Sequence, residues 1–219
     1  MSETEAFVYS LFSKPVYGRI LNIDTKKIVS ILEEYDFHEA GRKGTGTQND
    51  AENICSQSDS LYVLEDKRFK FLKDELMKEL YLFASDVMKY SNKFEITTSW
   101  FTKSTKGQSS NYHNHNNCIL SGALYLQTNE NSGNISFEDF SNKRYLIQPT
   151  EFNLLNSPEW KIKPEDGLLL MFPSEVYHKI EENKSDITRY SLAFNLVPTG
   201  AIGYGDSQQY HLNTKAIKD

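Results

Sequence analysis

Two hydrophobic periods divide the chain. Before about residue 94 apolar residues recur at steps of three and four, the spacing of a helix face; after it they alternate, the spacing of a half-buried strand. Asp24 or Thr25 can cap a helix whose Ile28, Ile31, Leu32 and Tyr35 share one side. From Asp66 a longer helix is expected, with Phe69, Leu72, Leu76, Leu80, Phe83 and Val87 forming its packing stripe. Between the two lies GRKGTGTQNDAENICSQSDS, residues 41–60, which is too rich in Gly, Asn, Gln and Ser to pack as a core element and reads as a loop.

From Phe94 onward the alternation predicts strands at Phe94–Thr102, Ile119–Leu126, Asn134–Phe140, Arg144–Ile147, Glu151–Leu155, Trp160–Lys163, Gly167–Phe172, Val176–Ile180 and Thr188–Val197. Turn residues separate them. Many short strands at this spacing mean a sandwich or a closed barrel, and two amphipathic helices would cover one outer face of it. There is no internal repeat and no low-complexity tract. The expected organisation is one domain over residues 1–219: a helical flank at 1–93, a barrel core at 94–199 and a C-terminal tail at 200–219.

Composition narrows the class. A chain of 219 residues with 38% hydrophobic and 25% charged side chains suits one globular domain, and no stretch approaches the ~18 apolar residues of a membrane span. The start, MSETEAFVYSLFSKPV, lacks the basic and apolar run of a secretory signal, so a cytoplasmic location is expected. Cys55 and Cys118 are far apart and read as free thiols. A net charge of −6 argues against a surface built to grip phosphate backbones without regard to sequence, and it leaves the substrate and the oligomeric state open.

Chemistry concentrates in few residues. The chain has five histidines: His38, His113, His115, His178 and His211. His113 and His115 form an H-x-H pair in a polar loop just before the strand ILSGALYL. On an extended chain end that spacing puts both imidazoles on one side, where they could bind a metal; a lone loop histidine is ordinarily just solvated. His178 lies downstream, after an apolar run that ends in Pro173 and Ser174. In the last long strand Tyr190, Leu192, Phe194 and Leu196 make an apolar face, and Arg189, Ser191, Ala193 and Asn195 a small, polar one. That polar face reads either as solvated or as a carboxylate site inside a barrel, where Arg189 offers a fork and Ser191 a hydroxyl.

These segments resemble the Fe(II)/2-oxoglutarate oxygenases, whose signature is H-x-(D/E), a distal His, and R-x-S on a following strand. More narrowly, HNH at 113–115, LSGALYL at 120–126, GNISFED at 133–139, DGLLLMFP at 166–173, His178 and RYSLAFN at 189–195 are similar to a subfamily found in bacteria and in phages of marine cyanobacteria. The resemblance implies a mainly β fold, a double-stranded β-helix (jelly-roll) barrel with the two N-terminal α-helices flanking it. It implies Fe(II) as cofactor and 2-oxoglutarate as co-substrate, in a dioxygenase that hydroxylates its substrate and releases succinate and CO2. His113 and His178 would be iron ligands, and Arg189 with Ser191 would bind the distal carboxylate of 2-oxoglutarate. Tyr125 could add a hydroxyl, or be packed core. A peptide side chain, a nucleotide and a small metabolite all suit such a barrel, because specificity lives in its loops; loops 41–60 and 102–117 are candidates for covering it.

One position departs from the wider superfamily. Where that superfamily has Asp or Glu, this chain has His115, which keeps three ligands but leaves the site one positive charge higher. The subfamily itself carries H-x-H, which makes His115 the implied third ligand; Asp139 or Glu138 is the alternative. Two other functions compete. A cupin-type dioxygenase or isomerase would use H-x-H with a nearby Glu, which is missing after His115, and would leave Arg189 without a role. A metal-free binding jelly roll would keep its histidines at the surface.

Overall fold

The computed structural model describes residues 6–40, 53–140, 147–208 and 210–213. Strand β1 (Tyr17–Ile20) leads into helix α1 (Thr25–Leu32), which starts where Asp24 accepts a hydrogen bond from the Lys27 amide at 3.0 Å. Short strands β2 (Phe37–Glu39) and β3 (Ser56–Ser58) follow. Asp66 then caps a turn at Lys67–Phe69 that runs into helix α2 (Lys70–Tyr81), and the chain continues as a widened π segment over Leu82–Val87. Phe69, Leu72, Leu76, Leu80 and Phe83 are buried as their spacing predicts, whereas Val87 is more than half exposed because the wider turn rotates it off the stripe.

The remaining strands are β4 (Lys93–Ser104), β5 (Leu120–Gln127), β6 (Ile135–Glu138), β7 (Glu159–Ile162), β8 (Leu168–Pro173), β9 (Tyr177–Ile180), β10 (Arg189–Ile202) and β11 (Tyr210–Leu212). The fold is mainly β and its strand pairs are antiparallel. One sheet of eight strands runs β1-β8-β5-β10-β4-β3-β2, with β11 added on β10; a second runs β7-β6-β9.

Alternation along the central strands gives the large sheet two faces. Leu120, Leu124, Leu126, Leu169, Met171, Leu192, Phe194 and Leu196 pack on one side with Ile28, Leu32, Leu72 and Leu76 of the helices. Tyr125, Leu168, Leu170 and Phe172 point the other way and pack with Ile135 and Phe137 of the small sheet. Strand β8, with LLLMF buried on both faces, is thus the layer boundary. Within the first layer Phe194 pairs with Gly122, and its ring occupies the space a side chain at 122 would need.

Two expectations differ from the structure, and a third falls largely outside the described residues. Glu151–Leu155 is not a strand: the Asn153 side chain accepts from the Leu155 amide and the Asn156 side chain from the Asn153 amide, both at 2.8 Å. Those local bonds make a turn that leaves Leu154 and Leu155 exposed. Within 41–60, Ser56–Ser58 is a strand edge paired to β2 and β4, while 41–52 lie outside the described residues. Of Arg144–Ile147, residues 144–146 lie outside them too, and Ile147 belongs to no strand.

Replacing Gly122 with Ala must displace the Phe194 ring, at a cost of about 1–3 kcal/mol for an overpacked core. Urea denaturation of Gly122→Ala checks this; a loss below about 0.5 kcal/mol would show that the ring yields freely.

Candidate metal and carboxylate site

The site lies where the small sheet covers the second face of the large one. His178 sits on β9 opposite Phe137, with its side chain buried. The segment carrying H-x-H lies beside β9 as a further, irregular strand: the amides and carbonyls of His113 and His178 bond to each other in both directions at 2.9 Å. Two residues on, the His115 amide donates to the Ser174 carbonyl, in the turn between β8 and β9, at 2.9 Å. The Pro-Ser turn thus fixes the second histidine as β9 fixes the first. Loop 102–117 is accordingly no free cover. Its first residues finish β4, and the Gly107 and Ser110 amides donate to Asn183 and Ile180 at 2.7 and 3.0 Å.

The three imidazoles converge, each offering one ligand atom within 4.8 Å of the others. Their remaining nitrogens are all engaged. His113 Nδ1 donates to the Asn111 carbonyl at 2.8 Å and His178 Nδ1 to the Val176 carbonyl at 2.9 Å. His115 Nδ1 donates to Asn195 Oδ1 at 2.7 Å. With every Nδ1 carrying its proton, every Nε2 keeps a free lone pair, and His115 Nε2 is buried with no hydrogen-bond partner among the described residues. Trp100 stacks on His115 at 5.8 Å between ring centroids, and Phe172 packs edge-on against His178 at 4.8 Å. Burial drives the rings toward neutrality: His178 is pushed down to about 3 and His115 to about 4, both reinforced by the neighbouring imidazoles, and burial also holds His113, which keeps one edge open to solvent, below its ordinary value.

No carboxylate belongs to this group among the described residues. Glu138 follows Phe137, the register partner of His178, so its side chain leaves the opposite side of β6. Asp139 lies past the strand end, exposed, its amide bonded to the Pro158 carbonyl at 3.0 Å.

Farther along the same face are Arg189, Ser191 and Tyr125, with Ser191 in register with Tyr125. Arg189 is almost completely buried. Its Nη1 donates to the Ser132 carbonyl at 2.6 Å, a group aimed inward by the turn at Gly133, whose positive φ and contact with the Glu181 carbonyl exclude a side chain. Its Nη2 has no hydrogen-bond partner among the described residues, and neither does the buried Tyr125 hydroxyl. Burial lowers the Arg189 pKa and pushes Tyr125 up to about 12, against the pull of the nearby guanidinium. A buried guanidinium with a free arm beside a free phenol is costly to hold empty-handed, by roughly 1–3 kcal/mol or more per group, and fits an anion. Sequence reasoning missed Asn195 as the acceptor for His115; its only signal was its place on the polar face of β10.

Residues 98–195 match the model of the family described as "Putative 2OG-Fe(II) oxygenase", 2OG being 2-oxoglutarate. Over that segment the chain is similar to the 2OG-Fe(II) oxygenase domain of that family. Both cofactors of the family, Fe(II) and 2-oxoglutarate, are written in its description, and the histidine group fits the metal: three neutral imidazoles with free Nε2 atoms, each oriented through Nδ1. No curated protein matches the chain in sequence. Among solved structures it is similar to a prolyl-4-hydroxylase from Pseudomonas putida, at 14% identity over 87% of this chain and 96% of that one, TM-score 0.58. It is also similar to HygX from Streptomyces hygroscopicus with nickel and 2-oxoglutarate bound, at 12% identity over 85% and 84%, TM-score 0.59. A third is the non-heme alpha-ketoglutarate-dependent epimerase SnoN from nogalamycin biosynthesis, at 10% identity over 94% and 91%, TM-score 0.61. At these identities the likeness is one of fold. No helix is long and apolar enough to cross a membrane among the described residues.

The histidine shifts set a pH dependence. In the folded protein His115 and His178 bind protons only at about 4 and about 3, so on acidification the unfolded chain takes them up first. The stability they contribute is complete above the unfolded histidine value near ~6.5 and is lost as pH falls from there toward the folded values. Urea midpoints of the metal-free protein should therefore fall between pH ~7 and pH ~5. The fall should be shallower in a His115→Gln, His178→Gln double variant; equal slopes would contradict the burial of these rings.

Proposed function

We propose that this protein is an Fe(II)- and 2-oxoglutarate-dependent dioxygenase that hydroxylates its substrate, with His113, His115 and His178 as metal ligands. Arg189, Ser191 and Tyr125 bind the co-substrate. The observation that carries this reading is the spacing of two half-sites on one sheet face. His115 is tied to Asn195, whose register partner on β5 is Ser121; Tyr125, facing Ser191, lies four residues farther along that strand, roughly 13 Å at ~3.3 Å per residue. Between them Ala123 and Ala193 pair with each other, so only methyl side chains arise from that interval. A short dicarboxylate spans such an interval, one end toward the histidines and the other toward Arg189.

When bound, Fe(II) supplies the means of splitting dioxygen between two products: one oxygen atom enters 2-oxoglutarate, which leaves as succinate and CO2, and the other enters the substrate C–H bond as hydroxyl. The chain's residues do the positioning. Three uncharged imidazoles bring no negative charge, so the anionic co-substrate provides the balance that a carboxylate ligand gives elsewhere in the superfamily. Arg189 fixes the distal carboxylate through Nη2, and the Tyr125 hydroxyl, fully protonated at neutral pH, donates beside it. Phe137, Phe172 and Trp100 wall the histidines with rings, which limits water around them.

In this reading the two sheets are the walls of a double-stranded β-helix over residues 94–199, flanked by the helices of 1–93 and completed by the 200–219 tail. The substrate is a peptide side chain, a nucleotide or a small metabolite. Neighbours of this fold include a prolyl-4-hydroxylase and an epimerase, so the loops rather than the barrel set that choice.

Arg189→Ala should weaken 2-oxoglutarate binding by about ten- to a hundred-fold, the range of a charge-assisted hydrogen bond, with metal affinity unchanged. Anaerobic calorimetry reads both, with Fe(II) titrated into the metal-free protein and 2-oxoglutarate into the Fe(II)-loaded one. Arg189→Lys should fall between wild type and Ala, because it keeps the charge and loses the fork. Wild-type affinity in the Ala variant would return the cupin-type reading.

A further inference from the structure

The superfamily's usual carboxylate at position 115 would need no partner to become a ligand. A histidine does, because an imidazole protonated on the wrong nitrogen has no lone pair to offer. Asn195 stands where that choice is made. Its Oδ1 accepts from His115 Nδ1 at 2.7 Å and from Ser121 Oγ at 2.9 Å, while its Nδ2 donates to Thr98 Oγ1 at 3.1 Å. Ser121 is in turn bonded to Ser174 Oγ at 2.8 Å, and Ser174 is the residue whose carbonyl holds the His115 amide. Three of these side chains arise from fixed strand positions: Thr98 and Ser121 are the register partners of Asn195 on its two sides.

The network has a direction. An amide has a donor end and an acceptor end, and the partners decide which way round it sits. If Asn195 were reversed, its NH2 would face His115 Nδ1, and the ring proton would move to Nε2. That nitrogen is buried with no hydrogen-bond partner among the described residues, so the proton would be stranded and the lone pair lost. Thr98 and Ser121 are hydroxyls that can serve either end of the amide and hold it from both sides, so the stranded Nε2–H is what disfavours the reversed arrangement.

We infer that Asn195 is a positioning residue that sets the Nδ1–H tautomer of His115 and thereby makes an H-x-H motif competent as a metal site. The inference rests on the metal-site reading above and concerns only how His115 enters it. Thr98 and Ser121 hold the Asn195 side chain in place beside His115. Neither touches the metal; both act through Asn195.

Two measurements on the folded protein separate this inference from the reading beneath it. Nitrogen-15 NMR of the metal-free protein reports the His115 tautomer directly, and a Co(II) titration reports metal affinity without turnover. Wild type should show Nδ1–H at His115 and bind one Co(II). A wild-type His115 that is mainly Nε2–H overturns the inference, whereas wild type that binds no Co(II) overturns the metal-site reading itself. Asn195→Leu removes the acceptor and should populate Nε2–H and lower Co(II) affinity about ten- to a hundred-fold, the usual effect of losing an outer partner of a ligating histidine. Asn195→Asp keeps the acceptor and should retain Nδ1–H and bind Co(II) within about threefold of wild type. Should the Leu variant fail to fold, the Asp variant and the wild-type tautomer decide: a folded Asp variant that loses Co(II) a hundred-fold means the acceptor is not the cause. A folded Leu variant with wild-type tautomer and affinity is equally fatal.

Discussion

Strand β10 must satisfy two interiors at once, and most of the structure follows from that constraint. Its Leu192, Phe194 and Leu196 belong to the core under the helices, while Arg189, Ser191, Ala193 and Asn195 face the small sheet. A strand alternates faces without choice, so each apolar residue that locks the strand into the first core also aims its neighbour into the second space. A slip of one residue would bury Arg189 among leucines and turn Phe194 toward the histidines. Pairing to β4 and β5 on either side, with Phe194 seated over Gly122, prevents it.

The second interior joins an apolar cluster to polar groups that are fixed by position. The reciprocal backbone bonds between His113 and His178 bring the loop histidine to the strand histidine, and the Ser174 carbonyl sets His115 beside them. Once there, each ring is oriented by its own Nδ1–H, two on carbonyls and one on a side-chain amide. Arg189 occupies the far end with one arm held by Ser132. The site therefore combines a neutral end of three imidazoles with a cationic end, with Ala123 and Ala193 paired between them.

Much of this was legible in the sequence because it is periodic. The helical stripe from Ile28 to Leu32, the run from Phe69 to Phe83, and the alternation of 189–197 all follow from side-chain spacing alone. The histidines were legible because H-x-H at a strand mouth is unusual, and the family match over 98–195 covers the segments that carry them. What escaped has physical causes. Ser56–Ser58 and Phe37–Glu39 are too short and polar to show a period, and they become strands only because β4 offers an edge. Residues 151–155 alternate like a strand, but two asparagines capture the backbone first. Asn195 looked like one more polar residue, since its role depends on a histidine eighty positions away.

The central claim is that three histidines, rather than two and a carboxylate, complete the iron site at one end of a face whose other end holds 2-oxoglutarate. A crystal structure of the protein grown anaerobically with Fe(II) and 2-oxoglutarate tests it most directly. The expected result is Nε2 of His113, His115 and His178 on the metal and the distal carboxylate on Arg189. Asp139 or Glu138 on the metal with His115 turned away, or 2-oxoglutarate lying clear of Arg189, would contradict it.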